Sequence, residues 1–350
     1  MQQECNKPAM TRKMEDLHHS ISRSLLRAFA PLRQITWSVA CSLTVICCHP
    51  TSSIEVSGPT MGTTWHATFA AQNIADEKAL RELIQSRLDE LEAMFSNWRS
   101  DSVVSRFNAS PSTDWQSVPK ELAEVVTFAQ ELSRETNGAF DVTLSPLIDL
   151  WGFGAHGRIK TPPSDQAIAE TQSLCGWQKL EARSDPPALR KTEATLQLNV
   201  SALVEGYASD DLVHKLRSKG IKNFLLDIGG ELYASGNKAD GSPWQVGIQQ
   251  PEAEKGNIVT TLPLQNQALA TSGTYRQYFE SAGKHYAHVL DGRTGRPVTY
   301  DCASVSVTAD SCFKADAWAT ALLILGSTEG RRLAESLKIN AVFLNPRPHP

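Results

Sequence analysis

The residues best suited to hold a cation are Asp316 and Thr320, which stand four positions apart in an apolar stretch. Helical spacing places both side chains on one face, where a carboxylate and a hydroxyl can point at one ion. Magnesium prefers oxygen ligands of this kind. The alternative is that Asp316 is a solvated helix residue, but its neighbours Ala315, Ala317 and Trp318 make an exposed, unpaired carboxylate the less favourable arrangement.

The segment from Thr271 to Arg276 carries groups that suit an anion. The hydroxyls of Thr271 and Ser272, together with the backbone amides around Gly273, can donate hydrogen bonds to phosphate oxygens. Arg276 can neutralise phosphate charge, or it can pair with Glu280 if the two residues lie one helical turn apart.

His288 is the candidate for moving a proton, since histidine is the side chain most often used as a general base. It lies between Ala287 and Val289, in a segment typical of a strand. On its neighbours alone, such a histidine is more often a hydrogen-bonded structural residue. Both interpretations therefore stay open at this point.

Composition excludes several classes of protein. The 350-residue chain has 34 Lys+Arg against 38 Asp+Glu, and 41% of its residues are hydrophobic, as in an ordinary globular protein. The first 50 residues carry net positive charge and the remainder net negative charge, which argues against binding of a nucleic-acid backbone. The sequence has no Gly-x-x-x-x-Gly-Lys-Ser/Thr loop, no His-Glu-x-x-His helix and no Gly-x-Ser-x-Gly elbow.

Hydrophobic periodicity predicts the elements that position these residues. We expect helices over 76–95, from Pro119 to an Asn137-Gly138 cap, and over 204–219, 313–325 and 331–337. We expect strands over 223–228, 231–235, 244–248, 258–264 and 341–344. Residues 155–187, rich in proline and polar side chains, are expected to be loosely ordered. Because no βαβ rhythm repeats, the pattern predicts an α+β fold: a single compact domain of mixed, largely antiparallel sheet with packed helices.

The N-terminal region is predicted to be an export segment, residues 1–48. Basic residues precede an apolar run that is shorter than the roughly 20 residues of a membrane span, as in a secretory signal. Cys48 closes this run like the lipidated cysteine of a bacterial lipoprotein, with Cys41 or Cys47 and an uncleaved signal anchor as alternatives. The predicted organisation continues with a short tether at 49–57, a folded domain at 58–345 and a Pro-rich tail at 346–350.

Only Cys175, Cys302 and Cys312 remain beyond the export segment. Their wide separation predicts neither a disulfide framework nor a zinc site. We expect reduced cysteines in the core, with a Cys302–Cys312 pair as the alternative.

Short motifs of one family follow one another along the chain. They are TMGT at 60–63, SNW at 96–98 with SRFN at 105–108, GAFDVT at 138–143 with WGFG at 151–154, EGYASD at 205–210, DIGGE at 227–231, and TSGTYR at 271–276 followed by HVLD, TGRP and ADAWAT up to residue 320. In this order and spacing they resemble the ApbE family of FAD:protein FMN transferases. The match covers residues 58–326, so 58–345 is predicted to be a flavin transferase domain.

The resemblance implies a magnesium-dependent reaction. FAD is cleaved at its diphosphate, AMP leaves, and the FMN moiety is esterified to a Thr or Ser hydroxyl of a target flavoprotein. The implied acceptors are subunits of membrane electron-transfer complexes or periplasmic flavoproteins, and the implied location is the periplasmic face of a bacterial inner membrane, reached through a lipid anchor. Two alternatives stay open: an FAD diphosphatase that hydrolyses FAD to FMN and AMP, and a non-catalytic FAD-binding lipoprotein.

The resemblance also implies roles for individual residues. It makes His288 the general base, and it adds the carbonyls of Ala202 and Ala319 to Asp316 and Thr320 as magnesium ligands. The residues expected to bind the flavin are Met61, Trp98, Ala139, Phe140, Asp141, Asn199, Glu205 and Leu290. Many relatives carry Asp where this chain has Asn199 and Lys where it has Glu205, and some carry Asp at the position of Ala319.

Overall fold

The computed structural model describes residues 53–70, 76–154, 157–251, 257–298 and 301–345. The export segment 1–48 with its cysteines and the tail 346–350 lie outside the described residues, so both remain predictions. No helix in the described ranges is long and apolar enough to cross a bilayer. Cys175, Cys302 and Cys312 are free and buried, as expected.

Seven α-helices form within the described ranges. They are α1 (Glu77–Phe95), α2 (Val103–Ala109), α3 (Lys120–Glu135), α4 (Ser145–Leu150), α5 (Asp165–Gln172), α6 (Ser201–Ser218) and α7 (Cys312–Leu337). A short 3₁₀ turn covers Trp177–Lys179. Helices α6 and α7 pack against each other, and both also contact the main sheet.

Sixteen strands accompany them in the same described ranges. They are β1 (Ser53–Thr60), β2 (Thr63–Ala70), β3 (Gln116–Ser117), β4 (Leu180–Ser184), β5 (Pro187–Lys191), β6 (Phe224–Ile228), β7 (Glu231–Ser235), β8 (Trp244–Gln249), β9 (Ile258–Leu264), β10 (Gln267–Gly273), β11 (Tyr278–Ser281), β12 (Lys284–Ala287), β13 (Leu290–Asp291), β14 (Arg296–Pro297), β15 (Ser304–Ala309) and β16 (Asn340–Leu344).

The main sheet has seven strands in the order β1-β2-β6-β7-β10-β15-β16, and every neighbouring pair in it is antiparallel. Smaller sheets are β3-β5-β4, β8-β9, β11-β12 and β13-β14. The helices supply the other side of one continuous apolar core. The predicted α+β class with a largely antiparallel sheet is therefore confirmed.

The predicted helices form because their apolar residues recur on one face. In α1, buried Leu80, Ile84 and Leu88 follow each other at four-residue spacing, and the Asp76 carboxylate caps the helix by accepting a hydrogen bond from the Ala79 amide at 3.0 Å. Helix α3 ends where predicted, since Asn137 and Gly138 both take positive φ angles of 51° and 78°.

The C-terminal helices differ in one detail from the prediction. The segments expected at 313–325 and 331–337 join into α7, with non-helical backbone at Gly326, where φ is 73°. Glycine tolerates this left-handed angle, so the chain bends there.

Helix α6 also differs from the prediction at its start. It begins at Ser201 rather than at residue 204, because the Asn199 side chain accepts a hydrogen bond from the Ser201 amide at 3.0 Å.

Two expectations about irregular segments require correction. Residues 155–187 are not loosely ordered throughout, because α5 and β4 form there and bury Ile168 and Leu180 while their polar residues face outward. Strand β1 begins at Ser53 and so takes up residues 53–57 of the predicted tether, because it pairs with β2 along its whole length and buries Val56.

Candidate active site

The Asp316 carboxylate lies at the contact between helices α6 and α7. Its side chain is buried, with 6% of the residue exposed, and its Oδ2 atom accepts a hydrogen bond from the Gly206 amide at 3.1 Å. A Cβ atom at position 206 would lie 2.7 Å from the Asp316 Cβ and 2.7 Å from the Cys312 carbonyl oxygen. Only glycine therefore allows α6 to approach α7 closely enough to hold Asp316.

Two further carboxylates accompany Asp316. Gly229 lies between them: a Cβ atom there would be 3.2 Å from the Glu231 Oε2 atom and 3.4 Å from the Glu205 Cγ atom. Burial raises the pKa of Glu205 to about 7. Burial, and to a smaller extent repulsion from the charges of Asp316 and Glu205, raises the pKa of Glu231 well above its ordinary value. Burial and the charge of Glu205 also raise the pKa of Asp316. Negative charge is thus concentrated here without an equal positive charge.

Thr320 lies one helical turn after Asp316, as the spacing predicts. Its Oγ1 atom is 2.8 Å from the Oγ atom of Ser272 on β10, within hydrogen-bonding distance. Strand alternation turns Thr271 to the opposite side of β10, where its hydroxyl lies 2.7 Å from that of Ser306. Of the two hydroxyls proposed for an anion, only Ser272 therefore faces the Asp316 helix.

The donor atoms fit magnesium. Asp316 supplies a carboxylate oxygen, Thr320 a hydroxyl oxygen, and Ala202 and Ala319 lie on the same two helices, α6 and α7. A hard cation would also offset the charge that Glu205 and Asp316 impose on each other. Among the described residues, no group of three or more His, Cys, Asp or Glu side chains is placed to hold a metal ion by itself.

His288 follows strand β12 and is held by one carbonyl. Its backbone amide donates to the Gln277 oxygen at 3.0 Å, and its Nδ1 atom lies 3.1 Å from that same oxygen. Because a carbonyl only accepts, Nδ1 carries the proton and Nε2 of the neutral ring is left as an acceptor. Burial lowers the pKa of His288, and the charge of Arg276 lowers it further. A neutral imidazole with an available Nε2 is the form that a general base requires.

Met61 and Trp98 lie in two separate loops; Met61 is half-buried against the core, whereas Trp98 is exposed. Met61 and Gly62 form the two-residue turn between β1 and β2, with φ angles of 47° and 76°. The Met61 amide donates to the Glu92 carboxylate of α1 at 3.3 Å, which fixes the turn. Trp98 follows α1 and is 69% exposed. An indole with this exposure is not part of the core, and its face can cover a flat ring system, the role that the family resemblance implies for Trp98.

The Ala139–Asp141 segment follows the cap of α3 and is packed into the protein. Ala139 and Phe140 are buried. The Asp141 carboxylate accepts from the amide and hydroxyl of Thr143, at 2.7 and 2.6 Å, and from the Trp177 amide at 2.9 Å. Most of its hydrogen-bonding capacity is therefore used within the protein, where sequence reasoning expected a ligand contact. Burial raises the pKa of this carboxyl despite these bonds.

Asn199 and Leu290 have different surroundings. The backbone amide of Asn199 donates a hydrogen bond to the Val142 carbonyl at 2.7 Å, which joins Asn199 to the Ala139–Asp141 segment. Leu290 is buried among the apolar side chains around Trp151, so its side chain is part of a core cluster. The structure thus brings Asp316, Thr320 and Glu205 together on α6 and α7, whereas Leu290 would reach a ligand through its backbone only.

Sequence reasoning missed two residues of this site. Glu231 lies in the DIGGE motif, yet only the fold brings it beside Glu205, and Gly206 has no signal apart from its place in the EGYASD motif. The suggested Arg276–Glu280 pair is wrong, because Glu280 lies on a strand instead of a helix. Arg276 donates to the Gly229 carbonyl at 3.4 Å and so lies beside the acidic cluster.

Comparison with known proteins gives one consistent result. The model of the ApbE family matches residues 61–343. An FAD:protein FMN transferase of Vibrio cholerae is 35% identical over 312 residues, covering 88% of this chain and 93% of that protein, and one of Escherichia coli K12 is 34% identical over 287 residues, covering 81% and 82%.

Two solved structures agree. The apo flavinyl transferase ApbE of Pseudomonas stutzeri has a TM-score of 0.77 at 36% identity, covering 85% of this chain and 92% of that one. The flavin transferase ApbE of Vibrio cholerae has a TM-score of 0.78 at 35% identity, covering 84% and 94%.

Proposed function

This chain belongs to the ApbE family, and from that premise we propose that it is an FAD:protein FMN transferase that requires magnesium and releases AMP. The observation that carries the proposal is the Asp316–Thr320 pair on α7, in surroundings of unbalanced negative charge: Asp316 is held by the Gly206 amide of α6 and Thr320 by the Ser272 hydroxyl of β10. The proposed acceptor is a Thr or Ser hydroxyl of a membrane electron-transfer subunit or a periplasmic flavoprotein.

Asp316 and Thr320, with the carbonyls of Ala202 and Ala319, would hold the magnesium ion. The bound ion would supply positive charge to the diphosphate oxygens, on which negative charge grows as the bond breaks. The hydrogen bond between Ser272 and Thr320 keeps the threonine hydroxyl in place. The Gly206 amide does the same for one carboxylate oxygen of Asp316.

His288 would move the proton. As the acceptor oxygen attacks the phosphorus of the FMN half, its proton passes to Nε2 of His288, while Nδ1–H stays bonded to the Gln277 carbonyl. A phosphorus–oxygen bond forms to the acceptor, and the bond from that phosphorus to the bridging oxygen breaks. AMP leaves with the electron pair, and His288 then returns its proton to solvent.

Export and lipidation are part of the proposal. They rest on the basic and apolar pattern of residues 1–48 and on Cys48 at its end, all outside the described residues. An acceptor facing the periplasm would require the catalytic domain on that side of the membrane.

The proposed reaction is tested by accounting for both halves of FAD. The full-length protein in detergent is incubated with FAD, magnesium and a candidate acceptor that a related transferase is known to modify. We expect AMP in equal amount to protein-bound flavin, and neither product in EDTA. Free FMN in amounts equal to AMP would show hydrolysis, and intact bound FAD would show a binding protein; either result would overturn the proposal.

The activity should depend on pH through His288. Burial and the charge of Arg276 lower its pKa below the ordinary 6.5, so the neutral base form persists into mildly acidic solution. At saturating magnesium, which would keep Glu205 and Asp316 ionised, the profile of kcat/KM should therefore rise with pH through an acidic limb whose midpoint lies below 6.5. A midpoint above 6.5, or the same limb in the His288→Gln variant, would exclude His288 as the group observed.

Removing the Trp98 side chain should weaken FAD binding and leave the free energy of unfolding nearly unchanged. Because the indole is 69% exposed, Trp98→Ala should change the free energy of unfolding by less than about 0.5 kcal/mol. Loss of an aromatic surface worth about 1 kcal/mol should weaken FAD binding about fivefold. Flavin fluorescence titration and thermal unfolding measure the two effects, and Trp98→Phe is the matched control that should bind nearly normally. Unchanged FAD affinity in Trp98→Ala would remove this residue from the site.

A further inference from the structure

Residues 196–200, which precede α6, belong to no sheet, and side chains from other parts of the chain hydrogen-bond to their backbone. The Leu198 amide donates to the Asn108 Oδ1 atom at 2.7 Å, and the Leu198 carbonyl accepts from the Asn108 Nδ2 atom at 2.8 Å. One asparagine side chain thus satisfies both backbone groups of Leu198, as a neighbouring strand would. The same carbonyl accepts a second hydrogen bond, from the Asn97 Nδ2 atom at 2.8 Å.

These contacts join the parts of the chain expected to bind flavin. Asn97 directly precedes Trp98, and Leu198 directly precedes Asn199. On its other side, Asn199 donates its amide to the Val142 carbonyl at 2.7 Å, next to Asp141. Helix α6, with Ala202 and Glu205 near its start, begins two residues after Asn199. The position of residues 198 and 199 therefore sets the distances between Trp98, Asp141 and the start of α6.

Asn108 is itself fixed by a buried lysine. Lys191 is 0% exposed, and its Nζ atom donates to the Asn108 carbonyl at 3.1 Å and to the Leu196 carbonyl at 3.3 Å. Its ammonium group also lies 5.4 Å from the centroid of the Phe107 ring. Among the described residues Lys191 forms no ion pair, so its charge is balanced by these carbonyl and ring dipoles alone. A buried donor of this kind holds α2 and the 196–198 segment at a fixed spacing.

We propose that Asn108 is a positioning residue for FAD binding and FMN transfer, acting through Leu198 on Asn199 and the first turn of α6. The inference rests on the proposed function. Asn108 itself contacts none of the reacting groups; it acts through Leu198. It keeps Trp98, Asn199 and Asp141 in register, and a displacement of about 1 Å in such a site can cost up to about 100-fold in rate.

Asn108→Asp tests the inference with the smallest change of shape. The carboxylate still accepts from the Leu198 amide, but it places an oxygen against the Leu198 carbonyl where an NH₂ group had donated. We expect FAD to bind about tenfold more weakly and the single-turnover transfer rate at saturating FAD to fall about tenfold. Asn108→Ala should show larger losses, and the absorbance band of bound flavin should shift in both variants.

Asn340→Ala is the matched control. It removes an asparagine hydrogen bond of 2.6 Å, to the Thr308 hydroxyl, at the far edge of the main sheet. It should lower the melting temperature without changing FAD affinity. The inference is overturned if Asn108→Asp lowers only the melting temperature while FAD affinity and saturated rate stay within twofold of wild type. If Asn108→Ala does not fold, Asn108→Asp alone decides, and because the readout is FAD binding, it remains valid even if the wild-type protein fails to modify any acceptor.

Discussion

Replacing Asp316 by asparagine is expected to abolish magnesium-dependent FMN transfer while making the metal-free protein more stable. The variant loses the only carboxylate among the proposed metal ligands, so the rate should fall by at least about 100-fold. Stability should rise because burial and the charge of Glu205 make the ionised Asp316 unfavourable without a cation, as the raised pKa of Asp316 indicates. The amide keeps the shape of the side chain and can retain an oxygen toward the Gly206 amide.

Thermal unfolding with and without magnesium separates these effects. Magnesium should raise the melting temperature of the wild-type protein and leave that of Asp316→Asn unchanged. Asp310→Asn is the matched control, since Asp310 lies just before the same helix and, among the described residues, forms one ion pair, with exposed Lys314 at 3.8 Å. A magnesium-induced shift of equal size in Asp316→Asn would place the ion elsewhere.

His288→Ala should slow FMN transfer by about 100-fold to 10,000-fold, the range that a positioned general base contributes. FAD affinity should change by less than about twofold, because the imidazole acts on the acceptor proton and its described hydrogen bonds go to Gln277. Single-turnover kinetics at saturating FAD give the transfer rate, and a flavin titration of the same sample gives the FAD affinity.

His285→Ala is the control for this substitution. His285 lies on β12, three residues before His288, stacks on Tyr278 with ring centroids 4.2 Å apart, and has its Nε2 atom 3.2 Å from the Thr274 carbonyl. Its loss should leave the saturated rate within a few-fold of wild type. If His288→Ala lowers FAD affinity as much as it lowers the rate, His288 positions the flavin and is not the base.

The sequence predicted the long helices well because each follows one local pattern. In α1 and α3 the apolar spacing lies within the helix, and the residues that mark its ends lie directly beside it. Asp316 and Thr320 could be predicted to share one helix face for the same reason, since they are only four residues apart. Strand β10 was missed because Thr271, Ser272 and Gly273 give no apolar alternation, although the strand lies in the interior of the main sheet.

The rest of the site depends on contacts between distant segments. Glu231 meets Glu205 across the turn at Gly229, and Asp316 meets Gly206 across two helices. Nothing local in the sequence marks these approaches, since glycine at 206 differs from other helical glycines only in what packs against it. The flavin contacts of Ala139, Phe140 and Leu290 likewise stay predictions, because their burial is equally expected of core residues.

FMN transfer to a protein is tested by the intact mass of the acceptor after the reaction. The full-length protein is incubated in detergent with FAD, magnesium and an acceptor that a related transferase modifies, and the acceptor is then weighed by mass spectrometry. We expect a mass gain equal to FMN minus water, which should be absent in EDTA, with Asp316→Asn, and when the acceptor hydroxyl is removed. An acceptor of unchanged mass beside free FMN and AMP, or beside intact FAD, would contradict FMN transfer to a protein.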